Sequence, residues 1–142
     1  MKIGVFDSGL GGFLMLDAIQ KILPEYDYIF YGDTKNLPYG EKTEEEILTL
    51  SQNAFEHLFE RDVALVISAC NSVSASTLTK LQTGFMAQEY PDRHAFGVII
   101  PTVEEVIDSG VTDILLLATS HTVNSKKYEH EFKGSDVKLT SV

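Results

Sequence analysis

The chain has a single cysteine, Cys70, and no tryptophan. One thiol excludes an internal disulfide framework, which suits a reducing compartment, and it leaves the cysteine as either a small buried hydrophobe or a reactive group. Positive charge is also scarce, with 11 Lys and Arg against 21 Asp and Glu and a net charge of -10. That balance offers no footprint for a phosphate backbone, so neither nucleic acid nor an anionic membrane is an expected partner. No apolar run is longer than about five residues, far short of the ~20 that span a bilayer. The opening Met1-Lys2-Ile3-Gly4-Val5-Phe6-Asp7 is too short and too soon charged for a secretory leader. A cytoplasmic protein is therefore expected. None of His57, His94, His121 and His130 has a second ligand at zinc-site spacing, and a lone cysteine makes no cluster, so no metal is expected.

What is present is a globular composition: 142 residues, 44% hydrophobic, long enough for one ordinary core. Short apolar runs rich in Val, Ile and Leu recur at Ile3–Phe6, Tyr28–Tyr31, Ala64–Ile67, Phe96–Ile100 and Ile114–Leu117. Longer amphipathic stretches lie between most of them. Strands alternating with helices predict βαβ units, hence an α/β fold: a three-layer sandwich with a mostly parallel sheet. The clearest helix opens at Thr43 with Glu46 three residues on, a capping box, and carries Ile47, Leu50, Ala54 and Leu58 on one stripe until about Arg61-Asp62. Others are expected from about Ser72 to Gln88, from Thr102 to Gly110, and over roughly Ser125–Phe132. The loop Asp33–Lys42, with Pro38-Tyr39-Gly40 as its turn, is the long irregular connection.

Ligands of open parallel sheets bind outside the carboxyl ends of the strands. Those ends carry Asp7-Ser8-Gly9-Leu10-Gly11-Gly12, Gly32-Asp33-Thr34, Cys70-Asn71-Ser72, Pro101-Thr102 and Thr119-Ser120-His121-Thr122. Any one of these loops is equally well explained as helix capping, for which Ser, Thr, Asn and Asp are the preferred residues. A thiol is a poor cap. Cys70, ahead of a helix whose positive end is expected to lower its pKa, is the informative member. The Gly9-to-Gly12 turn fits neither the dinucleotide fingerprint nor the P-loop. Asp7 and Ser8 beside it suit an ammonium and a carboxylate respectively, and together they describe an amino acid. His57 and His130 read as solvated. A hydrolase assembled from Cys70, His121 and Asp7 is a minority reading, since the nucleophile-elbow pattern is missing.

In order and spacing, Val5-Phe6-Asp7-Ser8-Gly9-Leu10-Gly11-Gly12, Gly32-Asp33-Thr34, Pro38-Tyr39-Gly40, Ala69-Cys70-Asn71-Ser72 and Thr119-x-x-Thr122-Val123-Asn124-Ser125 resemble the first half of the glutamate racemases, within the aspartate/glutamate racemase superfamily. The Pro-Tyr-Gly turn favours the glutamate branch. The resemblance implies a two-lobed enzyme that interconverts L- and D-glutamate without pyridoxal phosphate, metal or other cofactor, supplying D-glutamate for peptidoglycan. One cysteine from each lobe flanks the α-carbon, a base on one face and a proton donor on the other. Carried over residue by residue, Cys70 is the base, Asp7 lies near it, and Ser8, Pro38, Tyr39, Gly40, Asn71, Ser72, Thr119 and Thr122 form the substrate site. Thr is usual where this chain has Ser72; the hydroxyl survives.

The family's second base sits in a Gly-Cys-Thr-His motif of the other lobe, and these 142 residues contain no second cysteine. By the resemblance, residues 1–97 are the first lobe without its return segment and 98–142 the beginning of the second. Sheet edges and apolar helix faces are then expected to need cover, from a second copy in a homo-oligomer or from the missing half. The isolated chain is expected to be inactive as a racemase. The alternative is a non-catalytic module that binds acidic amino acids or a partner. Some relatives take a cell-wall precursor as activator on an extension before the first strand; Lys2-Ile3 already begins the strand here, so no such regulation is expected.

Overall fold

The computed structural model describes all 142 residues, Met1–Val142. Strands β1 (Lys2–Asp7), β2 (Asp27–Gly32), β3 (Val63–Ser68) and β4 (His94–Gly97) form a parallel sheet in the order β2-β1-β3-β4. Helix α1 (Gly12–Ile22) joins β1 to β2, and α2 (Glu44–Phe59) joins β2 to β3. From β1 the chain steps to one side for β2 and then returns to the other for β3, so the loops leaving β1 and β3 diverge. That divergence opens the crevice that doubly wound sheets use for ligands. Two main-chain bonds prolong the sheet into its rim, from Asp33 N–H to the Asp7 carbonyl at 3.0 Å and from Ala69 N–H to the Phe6 carbonyl at 2.8 Å.

Central strand β1 is buried from Ile3 to Asp7 on both faces, as a strand covered on two sides must be. One face packs against α2, whose Ile47, Ala54, Phe55, Leu58 and Phe59 join Phe6, Val63 and Val66 in the main core. The expected capping box is present: Glu46 N–H donates to Thr43 Oγ1 at 3.3 Å and Thr43 N–H to Glu46 Oε2 at 2.8 Å. The other face meets α1, of which only Gly12 is buried. Beyond α1, an open hollow of about 680 Å³ is lined by Met15, Ile19, Ile67, Phe96, Pro101 and Val106, among others.

After β4 the chain builds a second, smaller assembly. Helix α6 (Ile99–Asp108) leads to β5 (Asp113–Leu116), then α7 (Ser120–Asn124), α8 (Lys127–Glu131) and β6 (Lys138–Ser141), which pairs parallel with β5. Ile99, Val103, Tyr128 and Phe132 form its own core.

Several expected boundaries moved. The strand expected over Phe96–Ile100 ends at Gly97, and α6 begins before Pro101 rather than after it. A proline in the first turn lacks only an N–H that has no intrahelical partner, so it does not stop the helix. The helix expected from Ser72 to Gln88 is broken into α3 (Asn71–Ser76), α4 (Leu78–Leu81), a wide turn over Gln82–Met86 and α5 (Ala87–Glu89). Ser76 and Thr77 hydroxyls donate back to the Ser72 and Val73 carbonyls at 3.0 and 3.4 Å, a pattern that bends helices. The last expected helix, Ser125–Phe132, is the shorter α8, which starts after Lys126 at φ 58°; α7, before it, was not expected. Strand β6 was not expected at all.

Candidate active site

Cys70 is the residue before α3, at the carboxyl end of β3, and is 4% exposed. Its Sγ donates to Ser8 Oγ, in the loop after β1, at 3.3 Å. The two loops that diverge from the centre of the sheet therefore meet through a thiol and a hydroxyl. Asp7, also buried, turns its carboxylate to the Gly12 N–H at 3.1 Å, which holds the glycine turn against the strand end. An added Cβ at Gly12 would lie 2.8 Å from the Asp7 Cβ, so the close approach requires glycine.

Burial raises the Cys70 pKa above the usual thiol range. The Ser8 hydroxyl and backbone N–H groups of Val73 and Ser8 pull it down, while the charge on Asp7 pushes it up again. The expectation of a lowered pKa is thereby corrected. Six-residue α3 supplies some of the expected positive end, but desolvation of the charged thiolate outweighs it.

A second group of hydroxyls closes the rim from the smaller assembly. Thr119 caps α7, accepting from Thr122 N–H at 3.3 Å, and its hydroxyl donates to Thr122 Oγ1 at 3.1 Å. Ser72, on α3, lies 3.2 Å from Thr119 Oγ1. Gly40 presses against the same threonine: a Cβ there would come within 2.6 Å of Thr119 Cβ. Pro38 follows a cis Leu37-Pro38 bond and precedes the short helical turn Tyr39–Glu41.

Tyr39 is 1% exposed, with its ring in the main core and its hydroxyl donating to Asp33 Oδ2 at 2.7 Å. Asn36 Nδ2 donates to both oxygens of the same carboxylate at 2.9 Å. Burial first, and then the bond to Asp33, hold the Tyr39 hydroxyl far above its ordinary pKa. That hydroxyl is already engaged by Asp33, which leaves the backbone of Tyr39 and Gly40 as the part of the turn with free polar groups to offer.

The residues proposed as a site thus lie at one rim, linked by Cys70 to Ser8, Ser72 to Thr119 and Gly40 to Thr119. His121 does not join them, because its Nε2 pairs with Ser76 Oγ at 2.8 Å while Cys70 bonds Ser8. The Cys-His-Asp hydrolase is therefore not assembled. Sequence reasoning missed the partners of the site residues, Asp33 for Tyr39 and Tyr128 for Asn71, because contacts between separate elements leave no local pattern. No three His, Cys, Asp or Glu side chains converge as metal ligands would.

No protein-family model matches the chain. Individual relatives do. A glutamate racemase of a Hydrogenobaculum strain is 37% identical over 139 residues, covering 97% of this chain and 51% of the relative, and one from a Jannaschia strain is 35% identical over 92% of this chain and 52% of its own length. Among solved structures, the glutamate racemase of Aquifex pyrophilus superposes with a TM-score of 0.88 at 33% identity, over 99% of this chain and 55% of the other. The chain is homologous to one half of the glutamate racemases. It spans about half the length of the relatives it matches. A glutamate racemase of Francisella tularensis solved in complex with D-glutamate gives a TM-score of 0.84 at 30% identity, over 99% of this chain and 51% of that one. An aspartate racemase of Picrophilus torridus, at 18% identity and a TM-score of 0.68, shares the fold. The racemase homology agrees with a parallel sheet flanked by helices and a cysteine at its rim.

Proposed function

We propose that this chain forms one half of a cofactor-independent glutamate racemase site, with Cys70 as one of two bases that move the α-proton of glutamate. The observation that carries it is Cys70 at the divergence of β1 and β3, its Sγ 3.3 Å from Ser8, in a chain homologous to glutamate racemases over nearly its whole length. The D-glutamate named for the Francisella structure supports glutamate as the ligand. Asp7 and Ser8 would meet its ammonium and a carboxylate. Asn71, Ser72, Thr119, Thr122 and the Pro38-Tyr39-Gly40 turn would hold the remaining oxygens.

In the proposed step the Cys70 thiolate takes the α-proton of D-glutamate and becomes a thiol, leaving a carbanion that a donor on the opposite face protonates. With one cysteine among 142 residues, that donor comes from outside them. We read residues 1–97 as the first lobe and 98–142 as the beginning of the second. The same reading makes the product D-glutamate for peptidoglycan.

Purified chain in heavy water with D-glutamate tests this. The expected result is exchange of the α-hydrogen with little inversion, abolished by Cys70→Ser. Full racemisation by the monomeric chain would overturn the absence of a second base, and no binding of either enantiomer would overturn the site. The alternative is a non-catalytic module that binds acidic amino acids or a partner. Binding without exchange is the result that selects it.

A further inference from the structure

Asn71 follows Cys70, opens α3, and is exposed at the rim. Its carboxamide offers two different ends, an oxygen that accepts and an NH2 with two donors. Tyr128, on α8, is 6% exposed in the core of the smaller assembly, beside Ile99, Val103 and Phe132. Its hydroxyl reaches out of that core to Asn71 Oδ1 at 2.7 Å. Since the carbonyl oxygen carries no hydrogen, the tyrosine donates. Burial raises the Tyr128 pKa, so its hydroxyl keeps the proton it donates.

The terminal torsion of an asparagine is broad, and an exposed amide samples both of its orientations. The hydroxyl of a ring held in a core, donating at 2.7 Å, favours the orientation that turns Oδ1 toward it. Oδ1 faces Tyr128, and Nδ2, which takes part in none of the hydrogen bonds within the chain, points away from it with both donors available.

We infer that Tyr128 is a positioning residue whose hydroxyl locks the Asn71 amide with its NH2 presented to a carboxylate of the ligand at the Cys70 rim. This rests on the reading of that rim as a glutamate site. It also ties the site to the second core, because Tyr128 is placed by its neighbours on α6 and α8 rather than by the sheet that carries Cys70.

A double-mutant cycle on D-glutamate affinity, measured by calorimetry on the full chain, tests the lock. Tyr128→Phe keeps the ring and removes only the donor; it is expected to weaken binding about fivefold, the effect of one hydrogen bond of about 1 kcal/mol. In an Asn71→Ala background the same change is expected to have no further effect, since the tyrosine acts through the amide. An equal loss in both backgrounds would show a merely structural role and overturn the inference. The Asn71 side-chain NH2 resonances give a ligand-free readout: they are expected to shift in Tyr128→Phe, and an unchanged pair would also overturn it. Should Tyr128→Phe fail to fold, Asn71→Asp decides, because its carboxylate still accepts from Tyr128 but offers no donor. Lost binding then supports the lock, and wild-type affinity overturns it. A wild-type chain that binds no glutamate would overturn the site reading itself, a failure visible before any variant is made.

Discussion

Around Cys70 the neighbours act on the proton in opposite directions. Burial raises the thiol pKa, the Ser8 hydroxyl lowers it, and the Asp7 charge raises it. Two single substitutions should therefore separate. Ser8→Ala removes the lowering bond, and alkylation of Cys70 by iodoacetamide at pH 8 is expected to slow severalfold. Asp7→Asn removes a raising charge, and the same reaction should accelerate. Equal rates for both variants would sink this electrostatic account. The raised pKa also has a consequence for stability. Below the ordinary thiol pKa, near ~8.5, folded and unfolded chains both hold the proton, and Cys70 contributes no pH dependence. Above it the unfolded chain loses the proton first, so the folded state binds more protons and stability falls as pH rises. Urea unfolding between pH 8 and 10 should show that decline, and Cys70→Ala should flatten it.

Between elements, one contact that brings the smaller assembly onto the rim is Gly40 against Thr119, where a Cβ would sit 2.6 Å from Thr119 Cβ. Gly40→Ala is expected to cost about 1–3 kcal/mol by overpacking and to weaken glutamate binding more than a core truncation of equal stability cost, because it displaces Thr119 from Ser72. Thermal unfolding alongside calorimetry checks both parts; unchanged binding with lowered stability would detach the turn from the site. Much at this scale was legible in the chain. Thr43 and Glu46 announce α2 because both halves of a capping box are local. Cys70 and the hydroxyl residues fall at strand ends because alternating strands and helices determine which loops share a rim. The start of α6 was hidden by Pro101, whose tolerance in a first turn resembles a stop when read along the sequence. The break at Lys126 depends on a single left-handed residue that side-chain pattern does not mark. Tyr39 read as a turn and substrate-site residue and Tyr128 as one position of an expected helix, and the acceptors that hold their hydroxyls, Asp33 and Asn71, lie on other elements.

Across the whole molecule, the apolar surface is unevenly covered. Leu10, in the turn before α1, is 63% exposed, Leu14 and Ile22 on α1 are 81% and 75% exposed, and Phe96 lines the hollow of about 680 Å³ between α1, the sheet and α6. No helix is long and apolar enough to cross a membrane. Isolated exposed leucines are ordinary, but a cluster beside a hollow marks a surface that associates. We propose that the isolated chain covers this face with a second copy, the place that in a longer protein would belong to the half its relatives also have. Burying a large side chain is worth about 1.5–3 kcal/mol, so Leu14→Glu should weaken self-association at least tenfold in sedimentation velocity while leaving the main core, of which Leu14 is no part, intact by circular dichroism. A wild-type chain that sediments as a monodisperse monomer at high micromolar concentration would refute the second copy. A dimer indifferent to Leu14→Glu and to Phe96→Glu would place its interface elsewhere. If the dimer forms through this face, the heavy-water experiment gains a control, because exchange at Cys70 should survive Leu14→Glu while any inversion that depends on a partner's thiol should disappear with the dimer.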